Sequence, residues 1–365
     1  MERMFIELLQ VSLGTRDRLS WVPTEREWED VYEEAWRQAM VGVLLDGLER
    51  LAVSGEGLAD CLVNLPLDLK LEWIGESQME EAQYESQQEA AERLARLYAE
   101  NDLRTYVLKG AVIAECYPVP QYRCSVDFDC YLQSMKGKSD AWEYGNQIVE
   151  NLGEKVNRDF YKNSKFTIWG LTVENHQYLT PFRGNERLKA LERFLQHQLT
   201  ANSLESEISQ FEGTELWRPP VMVSALFLIE HAYSHFLHEG LTWRHVLDWQ
   251  MFIRKHREDI NWKELDVRID EFGFRLFYDT YCRIGLLAMG QLSEESLTIR
   301  DKRMLADIWS PLDVHKTVNG LRGKLALAGN TWRARWKYSE FTDMTWLRAL
   351  WIQVRGYLFD KNPKI

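Results

Sequence analysis

Two carboxylates, Asp127 and Asp129, are separated by one residue in the apolar stretch from Cys124 to Leu132. The stretch predicts a β-strand, and because side chains of a strand alternate between its two faces, both carboxylates would project from the same side. Neighbouring carboxylates repel each other unless a positive charge lies between them. Mg²⁺ or Mn²⁺, which prefer oxygen ligands, would supply that charge. The pair therefore predicts a divalent metal site; the alternative is a solvated strand end that carries two acids.

A lysine and a glycine precede this pair. A short apolar run from Tyr106 to Leu108 predicts a strand that stops at Lys109 and Gly110, before a brief helical segment. Glycine allows backbone N–H groups to approach a phosphate closely, and a helix N-terminus favours anions. Lys109 and Gly110 are therefore candidates for binding a triphosphate, although a lysine at a strand end can also be a surface residue.

Two further side chains near Asp127 and Asp129 could bind a nucleotide. Arg123 carries a planar guanidinium that can clamp a phosphate group. The alternative for Arg123 is a salt bridge to one of the same aspartates. Ser125 falls on the same face of the predicted strand as Asp127. Both residues are therefore candidate nucleotide-binding residues.

A third carboxylate is expected on a neighbouring strand, because two-metal catalysis needs a cluster of acids. Glu174, on a strand predicted from Lys165 to His176, is the candidate. It shares a face of that strand with four residues, Phe166, Ile168, Thr172 and His176. A glutamate beside metal-bound aspartates can orient or deprotonate a hydroxyl. Alternatively, Glu174 could simply end an edge strand. His176 either orients one of the acids by a hydrogen bond or is a hydrogen-bonded residue that only fills the core.

The order of these pieces resembles the nucleotidyltransferase superfamily of the polymerase-beta type. Within it, the chain is similar to a poorly characterised bacterial family with the pattern Leu-Lys-Gly, Tyr-Pro, Arg and Asp-x-Asp. In this chain the pattern reads Leu108-Lys109-Gly110, Tyr117-Pro118, Arg123 and Asp127-Phe128-Asp129, and Val173-Glu174-Asn175-His176 matches the family's hydrophobic-acid-x-His signature. The resemblance covers about residues 25 to 260.

The resemblance implies an activity: metal-dependent transfer of a nucleoside monophosphate from a nucleoside triphosphate, with ATP the expected donor, to a hydroxyl. Asp127 and Asp129 would hold the metal, and Glu174 would complete the acid cluster. Lys109 would grip the triphosphate. The wider superfamily has Gly-Ser after the first strand, whereas this chain has Gly110-Ala111. The serine of the wider superfamily touches phosphate; the narrower family shares the departure, and Lys109 could make the phosphate contact instead.

Histidines on a later predicted helix indicate a different chemistry. His231 and His235 are four residues apart, so one helical face presents both imidazoles, and Asp248 follows on the next predicted helix. Such a set could bind zinc as a hydrolase site. In the family that the chain resembles, the same residues would instead make core contacts or line the nucleotide cleft. A further alternative is a degenerate core that binds a nucleotide or a partner without turnover.

Charge and composition limit the partners. The 365 residues carry a formal charge of −12, whereas a long nucleic acid needs a basic stripe. The expected acceptor is therefore a small molecule or a protein. No window approaches 18 consecutive apolar residues, so no membrane span is expected. The five cysteines, an odd number without metal-like spacing, predict reduced thiols in a cytoplasmic protein.

The periodicity predicts an α+β protein in three parts. An N-terminal helical unit covers residues 1–102, a small mixed-sheet nucleotidyltransferase-like core covers 103–184, and a C-terminal helical bundle covers 185–365. In the first part, Thr24 and Glu27 have the spacing of a capping box, which predicts a long helix toward Leu51.

Two further segments carry specific predictions. In the core, residues 154–160 and 165–176 read as a β-hairpin. The tail from 331 to 359 carries a tryptophan stripe, which favours a helix that packs on the core. The alternative is a helix that binds a membrane surface or a partner.

Overall fold

At the centre of the protein is a mixed sheet of six strands in the order β3-β4-β2-β1-β6-β5. The computed structural model describes residues 1–53, 62–137, 140–200, 208–310 and 332–359. The strands are β1 (Leu103–Val107), β2 (Asp127–Ser134), β3 (Asn163–Ile168), β4 (Leu171–His176), β5 (Ser209–Gln210) and β6 (Leu216–Arg218). β2 pairs antiparallel with β1 and parallel with β4, whereas β6 pairs parallel with β1. The predicted mixed sheet is confirmed.

Helices surround this sheet, and the α+β class is confirmed. The helices are α1 (Glu2–Ser12), α2 (Glu25–Arg37), α3 (Val41–Val53), α4 (Leu67–Ala99), α5 (Ala111–Ala114), α6 (Ala141–Asn151), α7 (Glu186–Thr200), α8 (Val221–His238), α9 (Trp243–Lys255), α10 (Trp262–Glu271), α11 (Arg275–Ala288), α12 (Ile299–Trp309), α13 (Arg335–Phe341) and α14 (Trp346–Phe359). One continuous apolar core joins the N-terminal helices, the sheet and the C-terminal helices.

The segment predicted as one strand from Lys165 to His176 is two strands. β3 and β4 pair antiparallel, and Trp169 and Gly170, between them, have φ angles of 50° and 81°. Two consecutive positive φ angles are what a tight two-residue hairpin turn requires. The predicted hairpin of 154–160 with 165–176 is therefore wrong. Residues 154–160 contribute only an isolated bridge between Asn157 and Lys165.

This turn changes which side chains accompany Glu174. Phe166 lies opposite Val173, and both are buried, whereas Lys165 lies opposite Glu174. The prediction that Phe166 and Ile168 share the face of Glu174 is wrong, because the chain reverses at Trp169. Thr172 and His176 do share it, since they lie two residues away on the same strand.

The start of β2 also differs from the prediction. The strand begins at Asp127, so Cys124 and Ser125 lie before it and have no strand face. The side chains of Gln83 and Gln87 on α4 donate hydrogen bonds to the backbone carbonyl of Ser125, at 3.0 and 3.1 Å. The polar surface of α4 therefore holds the loop that leads into the Asp-x-Asp strand.

The N-terminal helices follow the sequence signals with one exception. The capping box of Thr24 and Glu27 at the start of α2 is confirmed. The long helix predicted toward Leu51 is wrong, because the chain turns at Ala39, whose φ is 54°. The turn places Gln38 in the core, where it donates to the carbonyl of Ile308 and accepts from the backbone N–H of Trp243. Gln38 thereby joins α2 to α9 and α12.

The C-terminal part contains the predicted helices together with strands that the sequence did not predict. Asn261 caps α10 by accepting from the backbone N–H of Glu264. β5 and β6 were not predicted, since each is only two or three residues long. β6 nevertheless extends the sheet through pairs such as Thr105 with Leu216.

The tryptophan-rich tail packs on the bundle at α13. Nζ of Lys337 donates to the backbone carbonyl of Phe236 at 2.8 Å and to Oδ2 of Asp307 at 2.7 Å. The rings of Trp336 and Phe236 meet edge to face. Trp351 on α14 is 59% exposed. Among the described helices, none combines the length and apolarity needed to cross a membrane.

Candidate active site

Three carboxylates share one face of the sheet where β2 and β4 run side by side. Asp129 lies directly opposite Glu174 in the parallel ladder, and Asp127 lies opposite Thr172. Because residues two apart on a strand face the same way, Asp127, Asp129 and Glu174 all project from this face. The candidate acids from two distant parts of the sequence are thus brought together by the pairing of β2 with β4.

Asp129 is the buried member of this set, with 3% of its surface exposed. Its Oδ1 lies 3.1 Å from Nε2 of His176, and its Oδ2 lies 3.3 Å from Nζ of Lys109. Burial alone would raise the pKa of Asp129, but Lys109 and His176 outweigh it and hold the pKa well below the usual value. Asp129 therefore stays ionised inside the protein.

His176 orients Asp129 from behind. Its Nδ1 lies 3.2 Å from the backbone carbonyl of Tyr178, which can only accept a hydrogen bond. Its other ring nitrogen faces the carboxylate. These two contacts hold the imidazole ring between the loop after β4 and the carboxylate of Asp129.

Asp127 and Glu174 lie nearer the solvent with Lys165 between them. Nζ of Lys165 is 3.5 Å from Oδ2 of Asp127 and 3.2 Å from Oε1 of Glu174, and Asn163 donates to the other oxygen of Glu174. Burial raises the pKa of Asp127, and the nearby Glu174 and Asp129 add to it, against the opposing effect of Lys165. Sequence reasoning missed Lys165, because the hairpin register that places it opposite Glu174 was not foreseen.

The donor set suits a divalent cation. Oδ2 of Asp129 is buried and, apart from its ion pair with Lys109 at 3.3 Å, accepts no hydrogen bond from the part of the chain that the structure describes. One ligand atom from each of Asp129, Glu174 and His176 lies within 4.8 Å of the others. Asp129 and Glu174 offer the oxygen ligands that Mg²⁺ prefers, with Asp127 at the rim. The ammonium of Lys165 lies between the carboxylates of Asp127 and Glu174, in the space where a metal cation would neutralise their charges.

Lys109 and Gly110 lie at the end of β1 beside these acids. Gly110 has a φ of 67° and a ψ of −110°, a conformation that favours glycine. The helix that follows, α5, is only one turn long, so its dipole is small. Oγ of Ser125 donates to the backbone carbonyl of Asp127 at 3.2 Å. Lys109 is the basic residue of this segment, and its side chain directly contacts Asp129.

Arg123 has a partner that the sequence did not indicate. It is 2% exposed and makes two hydrogen bonds to Asp248 on α9, from Nε at 3.1 Å and from Nη2 at 2.6 Å. Tyr117 donates to the same carboxylate at 2.7 Å. The alternative of a salt bridge from Arg123 to Asp127 or Asp129 is therefore wrong. Tyr117 and Arg123, which both belong to the family pattern, instead hold α9 against the loop before β2.

This pairing also changes the histidine cluster. Both oxygens of Asp248 are engaged by Arg123 and Tyr117, and Asp248 is not a member of the group of potential metal ligands that contains the histidines. The third member is His245: one ring nitrogen from each of His231, His235 and His245 lies within 4.8 Å of the others. Nε2 of His231 lies 3.0 Å from Nζ of Lys109. The cluster therefore borders the acid site through Lys109.

Asp127, Asp129 and Glu174 thus share one face of the sheet, and Lys109 contacts the buried member of this set. The chain belongs to a family of uncharacterised nucleotidyltransferases, whose model matches residues 24–284. The match includes the acids, Lys109 and the histidine cluster. Neither the curated proteins nor the solved structures contain a match to this chain.

Proposed function

We propose that this protein is a metal-dependent nucleotidyltransferase that moves a nucleoside monophosphate from a nucleoside triphosphate, with ATP the expected donor, to a hydroxyl. The observation that carries the proposal is the register of β2 with β4, which sets Glu174 beside Asp129 and on the face of Asp127. Family membership supports the same reaction class. The charge of −12 favours a small molecule or a protein as acceptor. The five cysteines, an odd number without metal-like spacing, favour a cytoplasmic setting.

The reaction joins the acceptor oxygen to the α-phosphorus of the nucleotide. The bond from that phosphorus to the bridging oxygen of the β-phosphate breaks, and pyrophosphate leaves. Bound Mg²⁺ or Mn²⁺ would stabilise the entering and leaving oxygens. In this arrangement Asp127, Asp129 and Glu174 would hold the cation.

The remaining groups handle the proton and the phosphate charge. The carboxylate of Glu174 would orient the hydroxyl and accept its proton, while Asn163 fixes one of its oxygens. Nζ of Lys109, at the end of β1, would bind the triphosphate beside Asp129. Gly110 and Ser125 border the same space, since a Cβ at Gly110 would lie 3.5 Å from Oγ of Ser125. His176 keeps Asp129 oriented.

A catalytically degenerate nucleotide-binding or partner-binding protein is the second candidate. The position of Lys165 favours it, because an ammonium between Asp127 and Glu174 competes with a metal ion. In such a protein the family fold would be kept and the acids would be paired permanently with lysine.

Product analysis with water as the acceptor separates these candidates without knowledge of the natural acceptor. Each of the four nucleoside triphosphates is incubated with wild-type protein and Mg²⁺, and the products are separated by chromatography. The proposal predicts slow formation of a nucleoside monophosphate and pyrophosphate, lost in Asp127→Asn and Asp129→Asn. Formation of nucleoside diphosphate and phosphate instead, or no turnover under any metal condition, would contradict it.

A further inference from the structure

Three imidazoles meet beside Lys109, whose ammonium contacts both His231 and Asp129. His231 and His235 come from α8, and His245 comes from α9. The ring centroids of His231 and His235 are 4.4 Å apart, and those of His235 and His245 are 4.7 Å apart. His231 and His235 are half-buried, whereas His245 is buried beneath them. The cluster is therefore reachable from solvent at one side.

The hydrogen bonds of His231 and His245 fix the position of their protons. Nε2 of His231 faces the ammonium of Lys109, which has only protons to donate, so this nitrogen accepts. Nδ1 of His245 accepts in the same way from the backbone N–H of Thr242, at 3.2 Å, and lies 2.9 Å from the hydroxyl of Thr242, which can donate to it. In each neutral ring the proton must then lie on the other nitrogen. The remaining nitrogen of each ring is therefore an N–H donor.

This donor pattern suits an anion better than a metal ion. A metal ligand needs a free lone pair, and the lone pairs of His231 and His245 are already used. His235 is different: its Nδ1 lies 3.0 Å from Oε2 of Glu239, which leaves its Nε2 to accept when neutral or to donate when protonated. Two fixed donors and one adaptable ring resemble a site for phosphate oxygens, and Lys109 adds a full positive charge.

The place of the cluster agrees with this chemistry. Lys109 contacts Asp129 on one side and His231 on the other, at 3.3 and 3.0 Å. A nucleotide whose α-phosphate lies at the acids would pass its outer phosphates along Lys109. Burial, with the charge of Lys109 and the other histidines, lowers the pKa of His231 well below its ordinary value. The neutral ring that the hydrogen bonds require is thus the form present near neutral pH.

We infer that His231, His235 and His245, together with Lys109, form the subsite for the terminal phosphates of the nucleotide and for the pyrophosphate that the reaction releases. This inference rests on the proposed function, since it names where the leaving group would bind. It replaces the zinc site that the spacing of the two histidines on α8 suggests.

Calorimetric titration with inorganic pyrophosphate in the presence of Mg²⁺ tests the subsite on the full chain. His235→Asn is the main variant, because His235 is partly exposed, and the double variant His231→Asn/His235→Asn removes two rings. His256→Asn is the matched control: His256 follows the same helix as His245 but pairs with Asp259. The expected result is a loss of pyrophosphate affinity of about tenfold in the single variant and more in the double, with the control unchanged. If the double variant does not fold, the single variant decides.

Two results would overturn the subsite. One is wild-type affinity for pyrophosphate in His235→Asn. The other is one Zn²⁺ per wild-type chain after gel filtration that is lost in His235→Asn, while pyrophosphate affinity stays the same. Titration with ATP and Mg²⁺ separates the subsite from the proposed function. If wild type binds ATP but His235→Asn leaves pyrophosphate binding unchanged, only the subsite fails; if wild type binds neither, both fail.

Discussion

Nζ of Lys109 lies 3.3 Å from Oδ2 of Asp129, so a lysine just after β1 neutralises the buried acid of β2. The same ammonium lies 3.0 Å from His231. Lys109 is therefore the one described residue shown to touch both an acid of the site and the histidine cluster. A triphosphate that enters this space would compete with Asp129 for the lysine.

Replacing Lys109 should weaken nucleotide binding. We expect Lys109→Met to lower the affinity for ATP with Mg²⁺ at least tenfold, because a charge-assisted hydrogen bond to phosphate is lost. Lys136→Met is the control, since Lys136 is a surface lysine paired with Asp102. Calorimetry on both variants checks this, and equal affinities in the two would remove Lys109 from the site.

Lys165 should act as a competitor of the metal ion. We expect Lys165→Met to tighten Mn²⁺ binding by about threefold or more, because no ammonium then has to leave Asp127 and Glu174. Electron paramagnetic resonance of free Mn²⁺ measures the effect, with the exposed Lys155→Met as control. Weaker Mn²⁺ binding in Lys165→Met would show that the lysine supports the metal site instead of opposing it.

Arg123 and Asp248 should behave as a buried structural pair. Removing one partner leaves the other charge buried, so Arg123→Met and Asp248→Asn should each lower the free energy of unfolding by about 3–5 kcal/mol. The double variant should lose less than the sum of the two, because no unpaired charge remains. Urea unfolding measures all three. Additive losses would show that the two residues act independently.

Arg123→Lys tests the other role considered for this residue. Lysine keeps the charge but not the two parallel hydrogen bonds to Asp248. If Arg123 acts only by holding α9, the folded fraction of this variant should bind ATP as wild type does. A large loss of ATP affinity without a loss of stability would instead show that Arg123 contacts the phosphates.

Glu230 should make stability depend on pH. The residue is 1% exposed, and neither carboxylate oxygen has a hydrogen-bond partner among the described residues. Burial raises the pKa of Glu230 to about 7, with Glu192 adding to the shift and Lys162 opposing it. A carboxyl with a raised pKa in the folded state stabilises the protein below its unfolded pKa, and this contribution is lost as pH rises through 7.

The free energy of unfolding of wild type should therefore depend on pH, and Glu230→Gln should remove this dependence. We expect the free energy of unfolding of wild type to fall between about pH 5 and pH 8 by on the order of 3 kcal/mol relative to Glu230→Gln. Urea unfolding across this range measures it, with the exposed Glu85→Gln as control. Parallel curves for wild type and Glu230→Gln would contradict the expectation.

Local patterns predicted much of this protein. The two-residue period placed Asp127 and Asp129 on one face, and the capping box of Thr24 and Glu27 marked a helix start. These features depend on neighbours in the sequence, so the sequence alone contains them. The register that sets Glu174 beside Asp129 was expected only in outline, from the resemblance to a family.

What the sequence did not predict depends on contacts between distant segments. The turn at Trp169 was missed because a tryptophan at positive φ is disfavoured locally; here the guanidinium of Arg93 lies 3.8 Å over its ring. The pairing of Arg123 with Asp248 joins a loop to a helix far along the chain. No local period marks such a contact, and the same holds for the place of His245 beside His231.

The most direct test of the central claim is calorimetric binding of each of the four nucleoside triphosphates, with and without Mg²⁺, to wild type and to Asp127→Asn/Asp129→Asn. The account predicts that at least one nucleotide binds wild type only with the metal and that the double variant, still folded by circular dichroism, does not bind it. Absence of binding to wild type at millimolar nucleotide would contradict the account. So would binding that needs no metal and survives loss of both aspartates.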